Sequence, residues 1–380
     1  MNVSDIAKQE GIKVLFIHLG TAAGSFYRII QYARQLSTID GIIPIYPTFD
    51  EVESDDRLKG FEVNPDRHIV LLNKLAQVAD LIVCSAVYTT KFGCMLNAMR
   101  DLHKVPVIME CDDDPFEIGA HHVGFEIIGP DTNIEKDAFD QVHDSDVIIC
   151  STEYLKNKLS CHHKLIYVIP NSLDLSLWEF DKPNNGDMIK IGWTGAANHQ
   201  EDLSLIGRLM KHILDKHENV EFHCLHGGNR LIDHERFFHH DVWTRISEYP
   251  AKLASMGFDI ALAPLCDSEF NRAKSNLRYL EYSALEIPCV ASRVEPYKTT
   301  IEDGVDGYIA NNELEWIDKI EKLLHNVNTR TKIGLNAFKK VKNNFTVDII
   351  GKKYSDILKE IHSNVKVKGE KDVNLLGFKN

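Results

Sequence analysis

Short apolar runs of four to six residues alternate along the chain with longer stretches in which apolar positions recur every three or four residues. The first pattern predicts strands buried on both faces, and the second predicts amphipathic helices covering them. In the first half, KVLFIH, GIIPIY, DLIVCS, VPVIMEC, DVIICS and KLIYVIP read as strands, with helices over 26–36, 69–78, 134–143 and 152–160. At 171–188, NSLDLSLWEFDKPNNGDM breaks into Asn, Asp, Pro and Gly and reads as a linker. A second round follows, with MIKIGW, VEFHCL, FDIALAP, IPCVAS and DGYIA as strands and helices near 201–216, 249–256, 274–286, 312–326 and 329–343. The pattern is α/β, with two doubly wound parallel sheets in series, and 380 residues suit two domains. Ligands of such sheets bind beyond the C-terminal ends of the strands, so two facing domains predict one cleft between them.

Composition narrows the partners. The net charge is -13, and residues 1–185 hold 16 Lys and Arg against 28 Asp and Glu, so the acidity sits in the first half. That argues against a nucleic-acid partner. The first apolar run is too short for a signal sequence, and no run approaches a membrane span, so the expectation is a soluble cytoplasmic chain that touches membranes peripherally if at all. Eight cysteines without a C-x-x-C pair, several inside strand runs, predict buried reduced thiols. The His pairs at 121/122, 162/163 and 239/240 lack metal-ligand spacing, and no bound metal is expected.

Three segments carry candidate chemistry. In FNRAKSNLRYLEYSALEIPCVAS (270–292) a helix is expected to open at Lys274 and Ser275 and to keep Glu281 on the same side, about 10 Å along the axis. A helix N-terminus with a lysine suits a diphosphate, and a carboxylate two turns on suits a ribose diol; an ordinary solvated helix face fits the same spacing. After the first strand, LGTAAGSFYRI offers the small residues Gly20, Ala22, Ala23 and Gly24 for close backbone approach, or simply a strand-to-helix turn. MECDDDPFEIG places Asp112, Asp113 and Asp114 at a strand end, where three adjacent carboxylates fit hydroxyl recognition, a solvated cap or a cation.

The segment LEYSALEIPCVAS resembles the donor-binding region of GT-B glycosyltransferases, specifically glycosyltransferase family 4. VIPNSLDLSLW (168–178) is similar to that family's interdomain turn. IKIGWTGAANHQEDLSLI (189–206) is similar to its first strand and glycine loop of the C-terminal domain. EDGVDGYIA and NAFKKVKNNFTVDIIGKKYSDIL resemble its closing segments. The resemblance covers residues 12–362 and is more specific in the second half. It implies two Rossmann-like domains facing a central cleft: an acceptor domain at 1–175, a donor domain at 176–345, a helix at 346–362 crossing back to the first domain, and a polar tail at 363–380.

By resemblance Glu281 holds the nucleotide ribose. The chain departs from the family where Ala273 replaces a first glutamate, where GAANH lacks an Arg/Lys pair, and where Glu286 stands in place of glycine. A branch pairing Phe-Asn-x-x-Lys-Ser with Trp-x-Gly-x-x-x-His is closer. The diphosphate work then falls to Lys274, with Asn271 and Arg272 as helpers and Gly195, His199, Ser275 and Asn276 as further donor contacts. His199 is a phosphate or sugar contact, or a surface residue at a helix start. Gly24, Tyr27, Arg28, Asp113 and Asp114 become acceptor contacts. Lys274 and Asp112 are the catalytic candidates, Asp112 as one of three carboxylates able to orient the acceptor hydroxyl. The implied reaction moves a sugar from a nucleotide-sugar, UDP favoured and GDP next, to a hydroxyl of a glycan or small acceptor, with retention and without a metal. Alternatives are a non-hydrolysing nucleotide-sugar epimerase, a glycosyltransferase acting on modified nucleic acid, and a non-catalytic nucleotide-sugar binding protein.

Overall fold

A computed structural model describes residues 3–18, 23–46, 65–86, 89–117, 133–181, 183–195, 199–227, 231–241, 245–246 and 248–370. The chain divides into two compact units: 1–112 with 133–169 and 347–380, and 113–132 with 170–346. Gly20 and Ala22 of the first loop, the 121/122 histidine pair and residues 196–198 of the GAANH segment lie outside the described residues.

The first unit holds six parallel strands: β1 (Ile12–Ile17), β2 (Ile42–Ile45), β3 (Leu81–Ser85), β4 (Val107–Cys111), β5 (Val147–Cys150) and β6 (Ile166–Val168). They lie in the order β2-β1-β3-β4-β5-β6. One face of this sheet packs Leu15, Ile17, Ile82 and Cys84 against Leu72, Leu75, Phe92 and Met95. Phe92 and Met95 belong to a helix, Thr90–His103, that was not among the predicted ones. Its apolar stripe is Phe92, Met95, Leu96 and Met99, set among polar residues with Gly93 in the first turn, and its start is fixed by Thr89, whose side chain accepts a hydrogen bond from Phe92 N.

In the second unit the parallel strands are β7 (Ile189–Gly195), β8 (Val220–His226), β9 (Phe237–His240), β10 (Ile260–Ala263), β11 (Cys289–Ser292) and β12 (Tyr308–Ala310). Their order is β12-β11-β10-β7-β8-β9. The strand β9, FFHH, was missed because four edge residues ending in two histidines carry no continuous apolar run. Helix α1 (Gln200–Lys216) buries Leu203, Ile206, Leu209, Met210, Ile213 and Leu214 at helical spacing against Ile191, Trp193 and Phe222.

The helix expected over 274–286 is shorter, and a separate short helix precedes it. Ser268 caps a short α2 (Glu269–Ala273) by accepting from Asn271 N, and the backbone is extended at Lys274 before α3 (Leu277–Ala284) begins. Lys274 therefore precedes the helix that carries Glu281 and does not share its face. At the far end of α3, Glu286 has φ 56°, the left-handed conformation that favours glycine. Helix α4 (Val327–Asn344) crosses there so closely that a Cβ on Gly334 would lie 2.0 Å from the Glu286 carbonyl oxygen. Gly334→Ala is expected to cost about 1–3 kcal/mol, lowering the melting midpoint by about 2–4 °C per kcal/mol in a domain of this size. An unchanged melt would show that the two helices separate freely.

Helix α5 (Val347–Glu370) belongs to the first unit and runs further than the expected helix end at 362. All eight cysteines are free, and burial pushes the Cys84 and Cys150 thiols up to about 12, so they stay protonated and inert. Among the described residues no helix is long and apolar enough to cross a membrane.

Candidate functional site

The order of the second sheet reverses between β10 and β7, and the crevice beyond that switch point is where doubly wound sheets bind ligands. Tyr282, on α3, spans it: its hydroxyl accepts from Thr194 N at the end of β7 (3.0 Å) and donates to Leu262 O in β10 (3.4 Å). One residue earlier in the sequence, Glu281 is 7% exposed, and one of its carboxylate oxygens accepts the Tyr249 hydroxyl at 3.1 Å. Burial and then the Glu281 charge hold the Tyr249 hydroxyl well above its ordinary value, so it remains a donor. Thus Glu281 is a buried, oriented acceptor beside the strand ends.

The positive groups precede Glu281, Arg278 by one turn of α3 and Lys274 before the helix begins. Arg278, in the first turn of α3, lies with its guanidinium 5.4 Å over the Trp193 ring. A Cβ at Gly195 would come within 2.8 Å of Arg278 Nη2 and 2.6 Å of the Trp193 ring, so only glycine fits at the end of β7. Arg278 makes no ion pair with a carboxylate among the described residues, which is uncommon for a partly buried guanidinium. Lys274 Nζ sits 4.5 Å over the Phe270 ring and 3.5 Å from Asp113 Oδ1, with its side chain 16% exposed. The first turn of α3 carries no acidic residue, and Asn276 at its N-cap makes no capping bond with its side chain, donating instead to Thr300 Oγ1. The positive end of α3 and two cations therefore converge.

His199 precedes α1 and places Nδ1 2.7 Å from Asp202 Oδ2. Burial, followed by the nearby Arg278 charge, lowers its pKa to about 4, so the ring is neutral at neutral pH. Asp202 is 4% exposed; burial alone would raise its pKa, but hydrogen bonds from His199 and Cys266 N hold it below the ordinary value.

The remaining sequence-based candidates divide. Asn271 commits its amide nitrogen to Asp202 Oδ1 (3.0 Å) and Cys266 O (3.1 Å), so it holds the loop together and does not contact a donor through that group. Arg272 grips Asp267 with two bonds and Glu269 with a third, at the start of α2. Ser275 accepts from Asn171 Nδ2 at 2.8 Å, pinning the segment before α3.

In the first unit, Tyr27 and Arg28 are each 2% exposed, within a π-helical turn at Phe26–Ile30. Arg28 spends its guanidinium on Glu110 Oε2 (2.7 and 3.0 Å) and Ile169 O (2.6 Å), and Tyr27 packs edge-on to Phe26. Both are built into the core of the first unit; Gly24 is exposed, with open space around it. The three aspartates also part company. Asp112, at the end of β4, is half-buried and its backbone oxygen accepts Ser151 Oγ. Asp113 is exposed toward Lys274, and Asp114 is 1% exposed and caps its own turn by accepting Phe116 N. Sequence reasoning missed Arg278 and Asp202. Arg278 could have been found as the one cation a turn before Glu281 on α3.

Residues 189–326 match the family model of glycosyl transferases group 1. The match lies wholly within the second unit. The chain as a whole has the GT-B fold, two Rossmann-like domains. It is similar to sucrose-phosphate synthase from Thermosynechococcus elongatus (12% identity over 94% of this chain and 100% of that one, TM-score 0.64). It is also similar to Alr3699/HepE from Anabaena in complex with UDP (13%, 92% and 100%, 0.65) and to a glycosyltransferase from Rickettsia africae ESF-5 (14%, 94% and 100%, 0.66). No curated protein matches the sequence. The matched segment contains Gly195, His199, Asp202, Lys274, Arg278 and Glu281.

Proposed function

We propose that this glycosyltransferase moves a sugar from a nucleoside diphosphate sugar to a hydroxyl of a glycan or other small acceptor, with retention and without a metal. The observation that carries the reading is Arg278, a partly buried cation with no ion-paired carboxylate among the described residues, one turn before the buried Glu281. A nucleoside diphosphate offers phosphate oxygens to Arg278, Lys274 and the α3 N-terminus, and a ribose diol to Glu281. As the sugar leaves, negative charge grows on the diphosphate, and cations already in place stabilise it without reorganising. Those two positive side chains also supply the charge for which a divalent ion would otherwise be required. Likeness to a protein solved with UDP favours a uridine nucleotide, with guanosine next. Retention follows the resemblance to family 4.

Calorimetric titration of UDP, GDP and ADP, with and without EDTA, tests the reading. Saturable binding of UDP that ignores EDTA and weakens about tenfold or more in Glu281→Ala is expected. Binding abolished by EDTA, or indifferent to Glu281→Ala, contradicts it. Conversion of a UDP-sugar to its epimer without any acceptor would favour the epimerase alternative.

A further inference from the structure

One carboxylate organises three segments of the site. Asp202 Oδ1 accepts from Cys266 N (2.7 Å) and Asn271 Nδ2 (3.0 Å), while Oδ2 meets His199 Nδ1 (2.7 Å). Because Oδ1 already takes two N–H donors, the carboxylate is anchored, and the only hydrogen that can lie between Oδ2 and the imidazole is the one on Nδ1. The hydrogen bond made by one ring nitrogen sets the state of the other. We propose that Asp202 is a positioning residue that locks His199 with its proton on Nδ1, so that Nε2 presents a lone pair and accepts a hydrogen bond from a sugar hydroxyl of the donor.

The surroundings support this choice of partner. His199 lies with its ring edge-on to Trp193, centroids 6.3 Å apart, and Arg278 covers the same Trp193 ring. The charges of Arg278 and Lys274 act on the imidazole and oppose a second proton. A neutral ring whose outer nitrogen is bare has nothing to donate to a phosphate oxygen, which at neutral pH has nothing to donate in return. A hydroxyl does. His199 is thereby assigned to the sugar and not to the diphosphate, whose counter-charges are Arg278 and Lys274. The identity of the partner rests on the nucleotide-sugar reading above; the tautomer does not.

Asp202→Asn is the test. It keeps the size of the side chain and, because Cys266 N and Asn271 Nδ2 still require an acceptor, its amide oxygen takes the Oδ1 place. The new NH2 group then faces His199 Nδ1 as a donor, which moves the ring proton to Nε2. A proton–nitrogen correlation spectrum of histidine-labelled protein is expected to show Nδ1 protonated in the wild type and Nε2 protonated in the variant. In titrations with UDP and UDP-glucose, the affinity that glucose adds over UDP is expected to fall about tenfold in the variant, while UDP itself binds as well or better, since Nε2–H can now meet a phosphate oxygen.

A role confined to holding the loops would weaken both ligands together, and that result overturns the proposal. So does a wild-type spectrum with the proton on Nε2, or a reversed tautomer that leaves the UDP-glucose to UDP ratio unchanged. If Asp202→Asn does not fold, His199→Phe, which removes Nε2, is expected to lower the same ratio, and an unchanged ratio there contradicts the hydroxyl contact. Failure of the wild type to bind UDP overturns the nucleotide reading and with it the hydroxyl partner, while the spectrum still decides the tautomer.

Discussion

Replacing Arg278 by alanine is expected to lower the affinity for UDP about 10- to 100-fold and to leave the affinity for uridine unchanged. The size follows from a hydrogen bond to a charged group, worth about 1.5–3 kcal/mol, at tenfold per 1.4 kcal/mol. Selectivity for UDP over uridine follows from position. Arg278 Nη2 lies where a Cβ on Gly195 would meet it, at the end of β7, and in the proposed reading Glu281, a turn further along α3, holds the ribose. Arg278→Lys restores only part of the loss, because an ammonium cannot lie flat on Trp193 or form two parallel bonds to a phosphate. Titration of the two ligands against wild type and variants checks this. Equal loss for UDP and uridine would show that Arg278 supports the fold of α3 and not the diphosphate.

The second large effect lies in the first unit. Arg28→Met is expected to destabilise that unit by about 3–5 kcal/mol, because Glu110 stays behind as a buried carboxylate without its cation. The Arg28 and Glu110 side chains are 3% and 0% exposed, and the Tyr354 hydroxyl donates to the other Glu110 oxygen at 2.6 Å. The cluster therefore joins the turn after β1, the end of β4, Ile169 after β6, and helix α5. Its three outer members lie next to the places where the chain passes between units, after Asp112, after Ile169 and before Val347. Arg28→Met combined with Glu110→Leu is expected to recover much of the loss, since an apolar pair replaces a buried ion pair at little net cost. Chemical denaturation of the single and double variants measures this; a single variant as stable as the wild type contradicts it.

How much of this was legible in the sequence depends on the kind of signal. Continuous apolar runs such as LIVCS and IKIGW announce strands buried on both faces, and eleven of the strand segments read that way lie where β1 to β8 and β10 to β12 do. Edge strand β9 has no such run, and the stripe of helix Thr90–His103 is only four residues, Phe92, Met95, Leu96 and Met99. Glu281 was found through its resemblance to a ribose carboxylate, and the structure buries it. Lys274 was placed on the wrong side of a helix start because periodicity cannot see that Ser268 caps a separate short helix. Arg28 looked available after a glycine-rich loop, yet its partners, Glu110 and Ile169, are 82 and 141 residues away in sequence. Asp202 looked like an ordinary acid in a first helical turn. Its role depends on Cys266 and Asn271, more than sixty residues later, and only the fold brings them together.

The central claim is that the crevice beyond β7 and β10 holds a nucleoside diphosphate. A crystal structure with UDP tests it most directly. The account predicts the diphosphate within hydrogen-bond distance of Arg278, Lys274 and the first N–H groups of α3, with the ribose hydroxyls on Glu281. UDP bound away from these residues, or a ribose turned from Glu281 with the diphosphate on another helix, would contradict it.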